Sequence, residues 1–177
     1  MNSDYFNSFS YSSLNHLQVG RVCEYWVKMF LTLENLDIYT SEVDDKGIDF
    51  VVRLDKAIHI DIQVKAIRLK TSAYVFITKK NWPAEDLKRT NLFLALVLLK
   101  DGNAPDVYLI PASAWLEPNE LLCSRDYEKE GQKSLPEWGV NISAKNMSFL
   151  EQYSLPLQVG KIKLLNSKPT SETTLWG

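Results

Sequence analysis

Four polar residues sit on segments that otherwise look buried: Glu24, Asp49, Gln63 and Lys65. Together they offer carboxylate and amide oxygens, which hard cations prefer, and one compact ammonium charge. Glu24 lies at the edge of an apolar helical face, four residues after Gly20, so the side of the helix next to its carboxylate is left open. Asp49 stands in Gly47-Ile48-Asp49-Phe50, flanked on both sides by apolar residues. Gln63 and Lys65 are two apart in an alternating segment and therefore share one face of a strand. Singly, each has an ordinary alternative. A helix-edge Glu is solvated, a strand-edge Asp caps a turn, and a Lys in an alternating strand marks a solvent face. It is the combination, in order and spacing, that points to a site.

The elements that must position these residues follow from periodicity. Ser12 or Ser13 is a candidate cap for a helix running from Leu14 to about Glu34, with Val19, Val22, Cys23, Trp26, Val27, Met29, Phe30 and Leu33 on a broad apolar face and Asn35 ending it. Strands are expected over 36–41, 48–54, 58–67 and 73–78. In the third, Ile58, Ile60, Ile62 and Val64 face one way, while His59, Asp61, Gln63 and Lys65 face the other. The apolar run Leu92 to Leu99 reads as a strand buried on both faces. A strand over 107–110, a short helix from Pro111 to Trp115, a charged surface excursion over 117–139, an edge strand over 140–143 and a short helix over 148–153 complete the reading. The order is that of an α/β (α+β) domain with a mixed sheet. The expected organisation is a flexible arm over 1–13, one domain over 14–165 and a flexible tail over 166–177.

Bulk properties exclude several classes. The chain has 177 residues, a net charge of −2 and a pI near 5.7, so it is no polycation, and nucleic-acid contact requires a local patch or metal ions. Two cysteines and two histidines supply neither a disulfide framework nor a His/Cys metal set. The N-terminal stretch lacks the basic start and apolar run of a secretory signal. The Leu92–Leu99 run is far shorter than the roughly 20 residues of a membrane span, and a cytoplasmic, reduced protein is the default expectation.

A helix-borne Glu, a Gly-Ile-Asp-Phe strand and a hairpin into Gln-x-Lys resemble the signature of the PD-(D/E)xK nuclease superfamily. Here they are Gly20-Arg21-Val22-Cys23-Glu24, Asp45-Lys46-Gly47-Ile48-Asp49-Phe50 and Ile62-Gln63-Val64-Lys65. The likeness covers about residues 14–78 and extends loosely to about 115. It is nearest to Mrr-like restriction endonucleases with a Gln in the third motif. Two departures stand out: Ile48 replaces the Pro before the Asp, and neutral Gln63 replaces the usual acid.

The resemblance implies a restriction-endonuclease-like core, with the helix followed by a mixed central sheet flanked by helices. It also implies a Mg²⁺ or Mn²⁺ ion held by Asp49, Gln63, the Val64 carbonyl and Glu24. Lys65 would orient a water and stabilise charge developing on a phosphodiester. The implied substrate is nucleic acid, DNA before RNA, and a homodimer is one arrangement for cutting two strands. A basic run that includes Arg68, Lys70, Lys79 and Lys80 is a candidate phosphate-contacting surface, with Tyr74, Phe76 and Trp82 interleaved as stacking partners. Its plain alternative is a solvated strand face. Two other readings stay open: a binding or accessory module on the same fold with little hydrolysis, and an unrelated α/β interaction protein in which the four residues never converge.

Overall fold

A computed structural model describes residues 9–40, 47–55, 58–70, 72–127 and 133–166. All of the expected tail except Asn166, most of the N-terminal arm and the Asp45-Lys46 part of the second motif lie outside them.

Helix α1 spans His16–Leu33. Its cap is Asn15 rather than Ser12 or Ser13. The Asn15 side chain accepts from the Gln18 N–H at 3.0 Å and the Gln18 side chain accepts from the Asn15 N–H at 2.9 Å, a reciprocal box that no serine upstream offers. Asn35 ends the helix by adopting a φ of +61°, a left-handed conformation that Asn tolerates better than most residues. The buried stripe is narrower than the apolar face read from the sequence. Val19, Cys23, Val27 and Leu31 repeat every four residues and are buried, whereas Met29 and Leu33 are exposed.

Strands β1 (Asp37–Tyr39), β2 (Phe50–Arg53), β3 (His59–Arg68), β5 (Leu92–Leu99) and β6 (Asp106–Pro111) form one mixed sheet in the order β1-β2-β3-β5-β6. The β3–β5 pair is parallel, with Gln63 opposite Leu94 and Lys65 opposite Leu96; the remaining pairs are antiparallel. Strand β5 is buried along its whole length, as its unbroken run of apolar residues requires of a strand covered on both faces. Burying such side chains contributes roughly 1.5–3 kcal/mol each.

One face of this sheet is covered by helices. Ile60, Ile62, Val97 and Leu99 pack there with the α1 stripe and with Leu155, Val159 and Ile162 of α2 (Leu155–Asn166). The other face is covered by a second, three-stranded sheet in the order β4-β8-β7, formed by Tyr74–Thr78, Glu137–Asn141 and Leu122–Arg125. The single-turn segments Ala84–Lys88, Ala112–Leu116 and Met147–Tyr153 fill in around it. Here Ile67, Trp82, Leu94, Trp115 and Trp138 make a second core. The described parts of the 117–139 segment are therefore not a surface excursion: they carry β7 and the start of β8, and β8 is a central strand rather than an edge. Residues that sheet cover turns inward, such as Leu122 and Trp138, stand among charges that mask them in sequence.

Phe9 and Tyr11, from the expected arm, dock on the main core. Tyr11 is buried, its N–H donates to Asp101 Oδ1 at 2.7 Å, and its hydroxyl donates to the Asn103 carbonyl at 2.8 Å. No helix among the described residues is long and apolar enough to cross a membrane.

Candidate metal centre

The alternation of β3 decides what reaches the site. Ile62, Val64 and Ala66 turn their side chains to the α1 face, so Asp61, Gln63, Lys65 and Ile67 turn theirs to the second sheet. That face is not a solvent face. Gln63 is only 4% exposed, and its Oε1 is buried with no hydrogen-bond partner among the described residues. A buried amide oxygen left unpaired costs about 1–3 kcal/mol, so it requires a reason.

Asp49 stands where β2 begins. Its backbone N–H donates to the Ile62 carbonyl at 2.9 Å, which continues the ladder one residue beyond the Phe50–Ile62 pair. Its side chain then replaces the next rung: the Val64 N–H donates to Asp49 Oδ2 at 2.5 Å. In a strand the N–H and C=O of one residue point to the same side, so the Val64 carbonyl faces the same opening beyond the end of β2. Gly47 closes this corner. Its φ is +68°, and a Cβ there would come within 2.9 Å of Asn81 Nδ2 and 3.2 Å of Gln63 Nε2. Both the conformation and the space call for glycine.

The structure thus brings together Asp49, Gln63 and Val64. Lys65 is half-buried on the Gln63 face, and no side-chain hydrogen bond or ion pair engages it among the described residues. Glu24 is on the helix side. Its Oε2 lies 3.3 Å from Arg21 and 3.9 Å from Lys28, and Lys28 Nζ sits 5.1 Å from the ring centre of Phe50, the neighbour of Asp49. A Cβ at Gly20 would meet nothing within 4 Å, so the space beside Glu24 is open.

The donor set is one of oxygens: a carboxylate, an unpartnered amide oxygen and a carbonyl, with a second carboxylate on the neighbouring helix. That fits a hard divalent cation and fits no soft one. Among the described residues no group of three or more His, Cys, Asp or Glu could hold a metal, so any ion bound here depends on the neutral Gln63 and on backbone oxygen.

The basic residues separate. Arg68 donates to the Tyr11 and Leu14 carbonyls at 3.3 and 2.9 Å, holding the chain before α1. Lys79 pairs with Asp126 at 2.5 Å and lies 4.1 Å over the Trp138 ring. Lys70 lines a small hollow with Asp101, whose carboxyl is held below its usual value mainly by the Tyr11 N–H. Lys80 is exposed and borders a cleft beside Asn81. In the same cleft Arg89 forms an ion pair with Asp61. Asn81 and the Asp61–Arg89 pair gave no distinct signal in the sequence. They meet the site through the fold of the 78–89 turn, which no local spacing encodes.

No protein-family model matches the chain, and no curated protein matches it. Among solved structures it is similar to a bacterial homing endonuclease, at 14% identity and a TM-score of 0.48, over 86% of this chain and 99% of that one. At that distance the functional reading rests on the site itself. What fold and site define is a mixed α/β domain with an oxygen-donor corner where β2 and β3 part.

Proposed function

We propose that this chain is a divalent-metal-dependent nuclease whose centre is Asp49, Gln63, the Val64 carbonyl, Lys65 and Glu24. The observation that carries the reading is the buried Oε1 of Gln63, which has no hydrogen-bond partner among the described residues, one residue along β3 from the Val64 N–H that binds Asp49. A cation at that corner gives the orphaned oxygen its partner.

A Mg²⁺ or Mn²⁺ ion held there would polarise a phosphodiester and lower the pKa of a bound water. The chain supplies the rest. Val64 fixes the Asp49 carboxylate through its N–H, so the ligand is oriented before substrate arrives. Gln63 adds an oxygen without adding charge. Lys65, a compact cation with no competing partner among the described residues, steadies the attacking water and the charge that builds on the phosphoryl oxygens. Glu24 would add a carboxylate from α1, its charge moderated by Arg21 and Lys28. Lys80 is the exposed cation that borders the adjoining cleft and suits a backbone phosphate. DNA as the substrate, a homodimer as the assembly and a cytoplasmic setting belong to the same proposal.

The test pairs two measurements on wild type and Asp49→Asn: calorimetric titration with Mn²⁺, and incubation with single-stranded, duplex and branched DNA and RNA. The proposal requires binding and cleavage in wild type and the loss of both in the variant. A wild type that cuts nothing with Mg²⁺ or Mn²⁺ would overturn it.

A second reading is an accessory nucleic-acid-binding module with little or no hydrolysis. The neutral Gln63 and the two cations paired with Glu24 favour it. Nucleic-acid binding retained without any Mn²⁺ heat would select it.

A further inference from the structure

Next to the proposed metal centre is a cleft of about 490 Å³. One wall belongs to the site's own strands: Ile48 immediately precedes Asp49, and Asp61 lies two residues before Gln63 on the same face of β3. The opposite wall is the turn from Lys80 to Pro83, followed by Asp86 and Arg89. Asn81 ties the two together, because its Nδ2 crowds the same Gly47 corner as Gln63 Nε2.

The lining is balanced in charge, which limits what can enter. Asp61 already neutralises Arg89. What remains is Lys80 as a cation and Asp86 as an anion, for neither of which an ion pair is found among the described residues. The Asn81 amide offers both a donor and an acceptor. Trp82, which also lines the cleft, is buried to 1% exposure with an indole N–H that has no partner among the described residues. Apolar surface comes from Ile48, Pro83 and Leu92. A phosphate is poorly matched to a site with a free carboxylate in its wall, and a hydrocarbon chain is poorly matched to its charges. A flat group with apolar faces and a rim of donors and acceptors matches both features.

We propose that this cleft receives one unpaired nucleobase of the strand whose phosphate lies at Asp49 and Gln63, so the substrate is single-stranded or has a nucleotide out of the stack. The inference rests on the nuclease reading for the position of the phosphate. The size agrees: small-molecule sites run from roughly 300 to 1,000 Å³, whereas a duplex presents grooves of about 6–12 Å and keeps its bases stacked inside. A base can enter such a cleft only after leaving the helix, or from a strand that never had one. Asp86 and Asn81 would then read the hydrogen-bonding edge of the base, with Ile48 and Pro83 against its faces.

The test is equilibrium binding of fluorescent oligonucleotides with cleavage-resistant backbones to the full chain in Mn²⁺, which keeps the proposed centre filled and removes cleavage from the readout. The probes are one single strand, its duplex and an abasic strand of equal length and charge. The proteins are wild type, Asp86→Ala and, as an exposed neighbour of equal charge outside the cleft, Glu85→Ala. Asp86→Ala is expected to weaken single-strand binding about tenfold, the size of one or two lost hydrogen bonds, while Glu85→Ala stays within about twofold. The abasic strand and the duplex should bind wild type at least about tenfold more weakly, the range of a lost base contact. An anion site gives the opposite sign, since removing a carboxylate tightens phosphate binding; that result, or equal binding of the abasic strand, overturns the inference. Asp86→Asn keeps the side-chain shape and one acceptor, and serves if the alanine variant does not fold. The two readings fail separately. Wild type that binds the base but never cuts loses only the nuclease reading. Wild type that cuts duplex while Asp86→Ala binds normally loses only the cleft.

Discussion

The Val64 N–H donates to Asp49 Oδ2 at 2.5 Å, a side chain taking over a ladder position that the backbone of β2 leaves empty. The bond couples fold and site, and the two can be separated by substitution. Asp49→Asn keeps an acceptor for Val64 and should hold stability within about 1 kcal/mol, whereas Asp49→Ala leaves a half-buried donor unpaired and should cost about 1–3 kcal/mol. Urea denaturation of the two variants checks this, and both should lose divalent-ion binding. Equal destabilisation by Asn and Ala would mean that the carboxylate charge, not the hydrogen bond, supports the corner.

Gln63 should behave as a ligand rather than as core. Gln63→Leu removes an oxygen that has no partner among the described residues, so without metal its Tm should match or exceed that of wild type, and Mn²⁺ should no longer raise it. Gln63→Glu places a second carboxylate beside Asp49. Like charges and burial make that form costly without an ion, so its metal-free Tm at pH 7 should fall and its gain with Mn²⁺ should exceed the wild type's. A Gln63→Leu variant several kcal/mol less stable would mark Gln63 as structural.

Gly47→Ala should damage both stability and metal response. Its φ of +68° strains any L side chain, and the new methyl group would press on Asn81 and Gln63. The expected loss is about 1 kcal/mol or more, since an alanine at positive φ is incompatible with the native backbone. Thermal melts with and without Mn²⁺ measure the two effects in one experiment.

Alkaline stability follows from two buried groups. Burial, and secondarily Glu24, pushes the Cys23 thiol up to about 12, and burial pushes the Tyr11 hydroxyl up to about 12. Both exceed their unfolded values of about 8.5 and 10, so the unfolded chain releases these protons first. Their contribution is complete below about pH 8.5 and is lost as pH rises toward 12. Tm should therefore fall over that window, and Cys23→Ala should flatten the slope. A thiol reagent at neutral pH should label Cys123, which is partly exposed, well before Cys23.

Much of this was written locally in the chain. The alternation of Ile60, Ile62 and Val64 against Asp61, Gln63 and Lys65 fixes a strand and its two faces, and the unbroken Leu92–Leu99 run fixes a doubly covered one. The sequence could not tell what covers the second face. The strand face that carries Lys65 had a solvent face as its ordinary alternative, because the β4-β8-β7 sheet that covers it is assembled from distant segments, two of them in charged surroundings. Helix α2 left a weak trace, because Pro156 reads as a break although it is well placed in a first turn, and Gly160 dilutes the periodicity. That Gln63 and Lys65 share one face of β3 was legible by spacing. The approach of Asn81, and the diversion of Arg68 and Lys79 to protein partners, depend on tertiary contacts.

The most direct measurement of the central claim is cleavage of a mixed single-stranded, duplex and branched nucleic-acid panel in Mg²⁺ or Mn²⁺ by wild type and Lys65→Ala. Lys65 makes no side-chain hydrogen bond or ion pair among the described residues, so the variant should fold with an unchanged Tm and still bind Mn²⁺. Wild type should cut and lose the activity with EDTA, and Lys65→Ala should be slower by about 10²–10³-fold, the scale of one removed charge-stabilising donor. Cleavage by Lys65→Ala at the wild-type rate, or none by wild type with either ion, would contradict the account.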